Sequence, residues 1–230
     1  MLVMALMYGS AASAMAGLLG SNTVFIALVG GHGAATTSGV IGFLLMLNAI
    51  AVNAFVVESA LQLGTEEASG RAESQLAGSV SRFRWAWGRL LVTVIGSALL
   101  LAVGGTLMGA AYGSSRSDAS QVWVLTGASL LYWPGVMVTA GVVVLLISLA
   151  PHQASALSWC YFGVLSVISL FGALFGLPHL TTHNAPFTGM SIFPADSFTI
   201  LPLAAATAIA VVLWAIGLVR FTRRDLAPGT

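Results

Sequence analysis

The sequence predicts an all-α fold: a polytopic membrane helix bundle of six transmembrane helices, one domain over residues 1–230, with a short cytoplasmic helix between spans two and three. Three observations carry this. Hydrophobic residues make up 58% of the 230, with a mean hydropathy of +0.97. Apolar runs of about 20 residues recur, each long enough to cross the hydrocarbon core. Only 7% of residues are charged, and seven of those charges fall between Thr65 and Arg89. A helix in hydrocarbon must be nearly charge-free, so such a chain shows its water-facing surface where charge concentrates.

The spans follow in order at residues 2–19, 38–61, 90–111, 122–150, 154–177 and 199–219. Met1 opens directly into the apolar span one with no basic residue before it, so no cleavable signal peptide is expected, and the abrupt start fits one half of a larger protein or a truncated one. Span two carries Asn48, Asn53 and Glu58 towards its cytoplasmic end, as interhelical hydrogen-bonding groups or as polar walls of a pathway; Glu58 lies near enough to the interface to be solvated. Span three holds Gly105-x-x-x-Gly109 and span five ends in Gly172-x-x-x-Gly176, patterns that let helices approach closely. In span four, Pro134 follows Tyr132-Trp133 and should kink the helix, because proline leaves a carbonyl without its donor. Pro151-His152-Gln153 is a tight turn into span five. Arg71, Arg82, Arg84 and Arg89 between spans two and three, and Arg220, Arg223 and Arg224 after span six, place both regions in the cytoplasm, whereas the remaining loops hold only Arg116. An even number of spans then puts both termini inside.

The charged segment, residues 63–89, has its own local logic. Thr65 is placed to N-cap a short helix, Glu66 and Glu67 to lie in its first turn where the dipole favours anions, and Gly78 to stop it. Glu67 and Arg71 form an i,i+4 pair, and Ala68, Ala72 and Leu76 make a thin apolar stripe suited to a protein groove. Arg82, Arg84, Trp85, Trp87 and Arg89 then form an interfacial anchor, indoles at headgroup depth and guanidinium groups in water.

Several classes are disfavoured. There is no lysine in the chain, so it has no Walker A loop, and if ATP drives it a partner hydrolyses the nucleotide. The net charge of +1, without a dense basic surface, argues against nucleic acid. Cys160, the single cysteine, lies in an apolar run and reads as a small buried hydrophobe. His179 and His183 have i,i+4 metal-ligand spacing but sit in a proline-containing outer loop with only Asp196 nearby, while His32 and His152 stand alone in loops, so no metal site is assigned. No catalytic residues are assigned either.

At the charged segment a resemblance becomes specific. Glu66-Glu67-Ala68-Ser69-Gly70-Arg71-Ala72-Glu73, with Leu76-Ala77 and Val80-Ser81-Arg82 before Trp85, resembles the cytoplasmic loop of ABC-2 type exporter permeases, particularly the actinobacterial polyketide-antibiotic (tetronasin-type) exporters. Leu145 to Pro151 with Ala156 and Trp159 resembles that subfamily's turn between spans four and five, and Phe221 to Leu226 its C-terminal ending. Members typically hold two six-span halves in one polypeptide, and this chain is similar to the C-terminal half; where the family often has arginine before the double glutamate, this chain has Leu63-Gly64-Thr65. The resemblance implies a permease of the bacterial plasma membrane that exports hydrophobic compounds such as polyketide antibiotics or drugs, and so a role in antibiotic resistance. It implies a separate ATPase subunit holding ATP and Mg, and a second permease half or a homodimer. Partner coupling carries over to Glu66, Glu67, Gly70, Arg71 and Glu73 on a coupling helix, with Arg82, Arg84, Trp85 and Arg89 as anchor.

Two other readings use the same residues. Glu66-Glu67-x-x-x-Arg71 also fits the EExxxR motif of CAAX-type intramembrane endopeptidases, with Phe175-x-x-x-His179 imitating their second motif; against it, His179 is followed by His183 rather than by the family's later HxxxN, and the topology puts Glu67 and His179 on opposite membrane faces. A non-transporting membrane scaffold is the third reading.

Overall fold

The computed structural model describes residues 37–68, 82–171 and 200–223, with side chains at 40–66, 84–114, 117–171 and 201–221. Among these residues all regular structure is helical: α1 (Thr37–Ala68), α2 (Arg82–Arg116), α3 (Ser120–Leu130), α4 (Trp133–Leu149), α5 (Ala154–Phe171) and α6 (Ile200–Arg223). With α3 and α4 taken as one crossing, five segments are long and apolar enough to span a membrane. Predicted span one and the part of span five beyond Phe171, including Gly172 and Gly176, lie outside the described residues.

These helices are apolar nearly all round, which is the pattern of elements that meet either one another or lipid and no water. Position then decides which. The span in α1 is 67% buried and forms the centre of the bundle, against 17% for α5 at its margin. α1 packs on α2 and α4, α3 lies along α2, α6 lies along α4, and α5 rests chiefly against α1 and α4.

Close approach of α2 and α3 depends on the small-residue spacing. A Cβ at Gly105 would stand 2.7 Å from the Leu125 carbonyl oxygen, and one at Gly109 would stand 2.6 Å from Val122 Cα. Backbone cannot yield at such distances, so glycine sets the separation of the two helices. The turn between them is closed by Asp118, whose carboxylate accepts from the Ser120 amide at 3.0 Å, the Ser120 hydroxyl at 2.7 Å and the Gln121 side-chain amide at 2.8 Å. The hydrogen bond from Gln121, then those from Ser120, hold this carboxyl below its ordinary value.

Span four departs from a single kinked helix. The chain leaves α3 at Leu130, turns through Leu131 and Tyr132, and re-enters helix at Trp133 with Pro134 in the first turn of α4. Leu131 still donates to Gly127, but Tyr132 donates to Ser129, one residue nearer than α-helical spacing. Tyr132 is buried at this joint. Proline is best tolerated where its missing donor would be unpaired anyway, so the break falls just before Pro134. Below it, Gly141 leaves room for Trp214 of α6, whose indole Nε1 donates to the Met137 carbonyl at 3.0 Å.

Candidate functional site

The Arg-rich end of α1 and α2 differs from its expected form. α1 continues without interruption to Ala68, so Thr65 is not an N-cap: its hydroxyl donates to the Leu61 carbonyl at 3.2 Å, the back-bond of a residue within a helix. Glu66 and Glu67 therefore occupy the last turn of α1 rather than the first turn of a new helix. Local propensity explains the outcome, since Ala60-Leu61-Gln62-Leu63 and Thr65-Glu66-Glu67-Ala68 contain no breaker except Gly64, and Gly64 packs against Ile147. A helix C-terminus disfavours anions, and here an ion pair offsets that cost: Arg89 Nη2 of α2 lies 2.5 Å from Glu66 Oε1. Gly70, Arg71 and Glu73, with the rest of the proposed coupling helix, lie outside the described residues.

The anchor segment is the first two turns of α2 itself. Arg82 opens the helix, Arg84 and Arg89 are exposed, and Trp85 packs on the core from its edge. Trp87 meets Trp214 edge to face, with centroids 5.8 Å apart and planes at 80°. This contact joins the base of α2 to α6, and the Trp214 hydrogen bond carries it on to α4.

The three polar positions of α1 part company. Asn48 is buried and satisfied on its donor side, giving a hydrogen bond to Ser129 Oγ at 3.3 Å, while Ser129 donates to the Leu101 carbonyl at 2.8 Å. This hydrogen bond joins α1 to α3. Asn53 is completely buried, yet neither atom of its amide finds a partner among the described residues. Glu58 is exposed, on one face with the exposed Gln62 and Thr65 at four- and three-residue spacing. About 12 Å of helix separates it from Glu66 at the rise of an α-helix. A wet surface serves that face better than lipid does.

The chain matches, over residues 1–222, the family described as the multidrug efflux system permease Rv1217c, C-terminal domain. It is 31% identical over 225 residues to the multidrug efflux system permease protein Rv1217c of Mycobacterium tuberculosis (strain ATCC 25618 / H37Rv), an alignment covering 96% of this chain and 41% of that protein. The chain belongs to the Rv1217c C-terminal domain family. It is a multi-pass membrane protein, and it spans about two fifths of the length of the relative it matches.

In this member of the Rv1217c family the structure adds residues that the sequence did not single out. Thr139 of α4 and Ser158 and Ser169 of α5 have buried hydroxyls without a hydrogen-bond partner among the described residues. The Tyr161 hydroxyl of α5 lies beside the Thr139 side chain. Ser158 and Ser169 are eleven positions apart, three helical turns, which was the available signal. Trp214 was hidden among six tryptophans, because nothing in an apolar span marks which indole will face a carbonyl.

Proposed function

We propose that the chain is the permease half of an ATP-driven exporter of the ABC-2 type, carrying hydrophobic compounds such as drugs or polyketide antibiotics out across the bacterial plasma membrane. Membership of the Rv1217c family carries the reading, because the family is named for a multidrug efflux permease and the match covers nearly the whole chain. The rest follows from chemistry. The chain has no lysine for a phosphate-binding loop, so ATP and Mg belong to a separate nucleotide-binding subunit. The arginines after α1 and those at the end of α6 and just beyond it fit a cytoplasmic location for both regions and for both termini.

Coupling runs through residues 63–89 in this account. Glu67 at the end of α1 and the segment that follows, with Gly70, Arg71 and Glu73, dock in the ATPase, and Glu66, Arg82, Arg84, Trp85 and Arg89 fix that segment to the bases of α1 and α2. Movement of the base of α2 reaches α6 through Trp87 and Trp214 and then α4 through the Met137 carbonyl. A second permease half, or a second copy of the chain, completes the pathway; the relative, of which this chain spans about two fifths, favours the former.

Disrupting the gene in its own host is expected to raise accumulation of a hydrophobic fluorescent dye, with wild-type chain restoring efflux and Arg71→Glu or Glu67→Lys failing to do so. Unchanged accumulation after disruption contradicts the exporter reading. Full rescue by both charge-reversed variants contradicts the coupling role alone.

A further inference from the structure

We infer that the junction of α1, α4 and α5 is a hydrated crevice in which the Asn53 amide receives an uncharged hydroxyl or carbonyl group of the cargo. The inference rests on the exporter reading for the word cargo; the crevice itself stands on hydrogen bonding.

Serine and threonine in these helices normally bond back to their own backbone. Thr106 donates to Ala102, Thr126 to Val122, Ser148 to Leu145, Ser166 to Phe162 and Thr207 to Leu203. The buried side-chain atoms without a partner among the described residues are both amide atoms of Asn53 and the hydroxyl oxygens of Thr139, Ser158 and Ser169. All belong to α1, α4 or α5. Register sets the first two at neighbouring levels of α1 and α4. Phe55 meets Gly96 of α2, and Ser97 one residue on accepts from the Trp133 indole, so Asn53 lies near the level of Trp133 to Val136. Thr139 is one turn further along α4, facing Tyr161 of α5.

A hydroxyl can swing back to its own helix by rotating χ1, but a carboxamide offers two donors and an acceptor that a helix of apolar neighbours cannot satisfy. Hydrocarbon supplies no partner either. Water fits, given two to four polar groups to hold it, and Asn53, Thr139, Tyr161 and Ser158 provide them. α5 is the element that can admit it, being only 17% buried in its span and resting on the other two helices. The ligand class follows from charge. α4 and α5 contain no ionisable acid or base apart from Tyr161 and Cys160, and Glu58 is exposed on another face of α1, so the crevice matches neutral hydrogen-bonding groups.

The test uses the full chain in membranes of its own host, with the subunits it assembles with. In a Cys160→Ser background, Asn53→Cys and Ser158→Cys are treated with a small hydrophilic thiol reagent, with Ala128→Cys, buried in α3, as the dry reference. Modification at 53 and 158 is expected to be at least about tenfold faster than at 128. Equal, slow modification at all three overturns the crevice. Asn53→Leu is then expected to cut dye efflux by about tenfold with normal amounts of protein in the membrane, and Asn53→Gln to restore part of it. Wild-type efflux by Asn53→Leu overturns the amide's role. Fast labelling in a protein whose wild type exports nothing leaves the crevice standing and removes the exporter reading instead.

Discussion

The two sides of this bundle treat polar groups in opposite ways. Where α2 meets α1, α3 and α4, polar atoms close on one another: Asn48 on Ser129, Ser129 on the Leu101 carbonyl, Ser59 on Thr93 at 2.8 Å, Thr106 on Thr126 at 3.0 Å and the Trp133 indole on Ser97 at 3.2 Å. Glycine brings the α2 and α3 backbones within contact there. On α1, α4 and α5, the amide of Asn53 and the hydroxyls of Thr139 and Ser158 have no hydrogen-bond partner among the described residues. An unmet buried polar group costs about 1–3 kcal/mol, and hydrocarbon gives no relief, so the first side reads as a fixed frame and the second as a surface held ready for water or cargo.

The sharpest break in that contrast comes from the frame. Gly109→Leu would drive a side chain into the α3 backbone, and it should destabilise the protein by about 3 kcal/mol, seen as loss of most folded material in thermal unfolding in detergent. A leucine tolerated at 109 would mean that the close approach of α2 and α3 is not structural. Next, Trp214→Phe keeps the ring contact with Trp87 but loses the bond to Met137, for about 1 kcal/mol and a lowered Tm; if efflux falls while Tm holds, the indole acts in coupling rather than in packing. Arg89→Gln removes a partly exposed ion pair and should cost at most about 0.5 kcal/mol, with a dependence on salt that the wild type shows and the variant lacks. The smallest effect is at Asp118. Its carboxyl is held below the ordinary 3.8 in the folded state, so its contribution is complete above that value and fades as pH falls through the lowered one. Hydrogen exchange at the Ser120 and Gln121 amides should therefore quicken in strong acid, and Asp118→Asn should abolish that acid dependence.

Much of this was legible from residue type alone. Helices over predicted spans two, three and six, the turn at Pro151 to Gln153 and the glycine contact at 105 and 109 follow from hydrophobic length, proline and small-residue spacing, whereas the kink expected at Pro134 is a full break between two helices. The end of α1 was misread for a physical reason. Thr65 followed by two glutamates has the composition of a helix start, and nothing local distinguishes it from a helix end whose acid is held by an arginine more than twenty residues later. The two asparagines were equally opaque. Asn48 and Asn53 lie five positions apart on one helix, so they face different neighbours, and only packing shows that one meets Ser129 and the other meets no polar partner among the described residues. Partner coupling at 70 to 73 falls in a segment outside the described residues and rests on motif and family.

The most direct test compares those two asparagines. Asn48→Leu and Asn53→Leu place the same apolar side chain at two buried positions of α1, and thermal unfolding of each in detergent measures what the amide contributed to the fold. Asn48→Leu should lower stability by about 1 kcal/mol while Asn53→Leu leaves it unchanged or raises it, because only the first amide is spent on the frame. Equal losses at both positions would contradict the division of the bundle into a closed frame and an open junction.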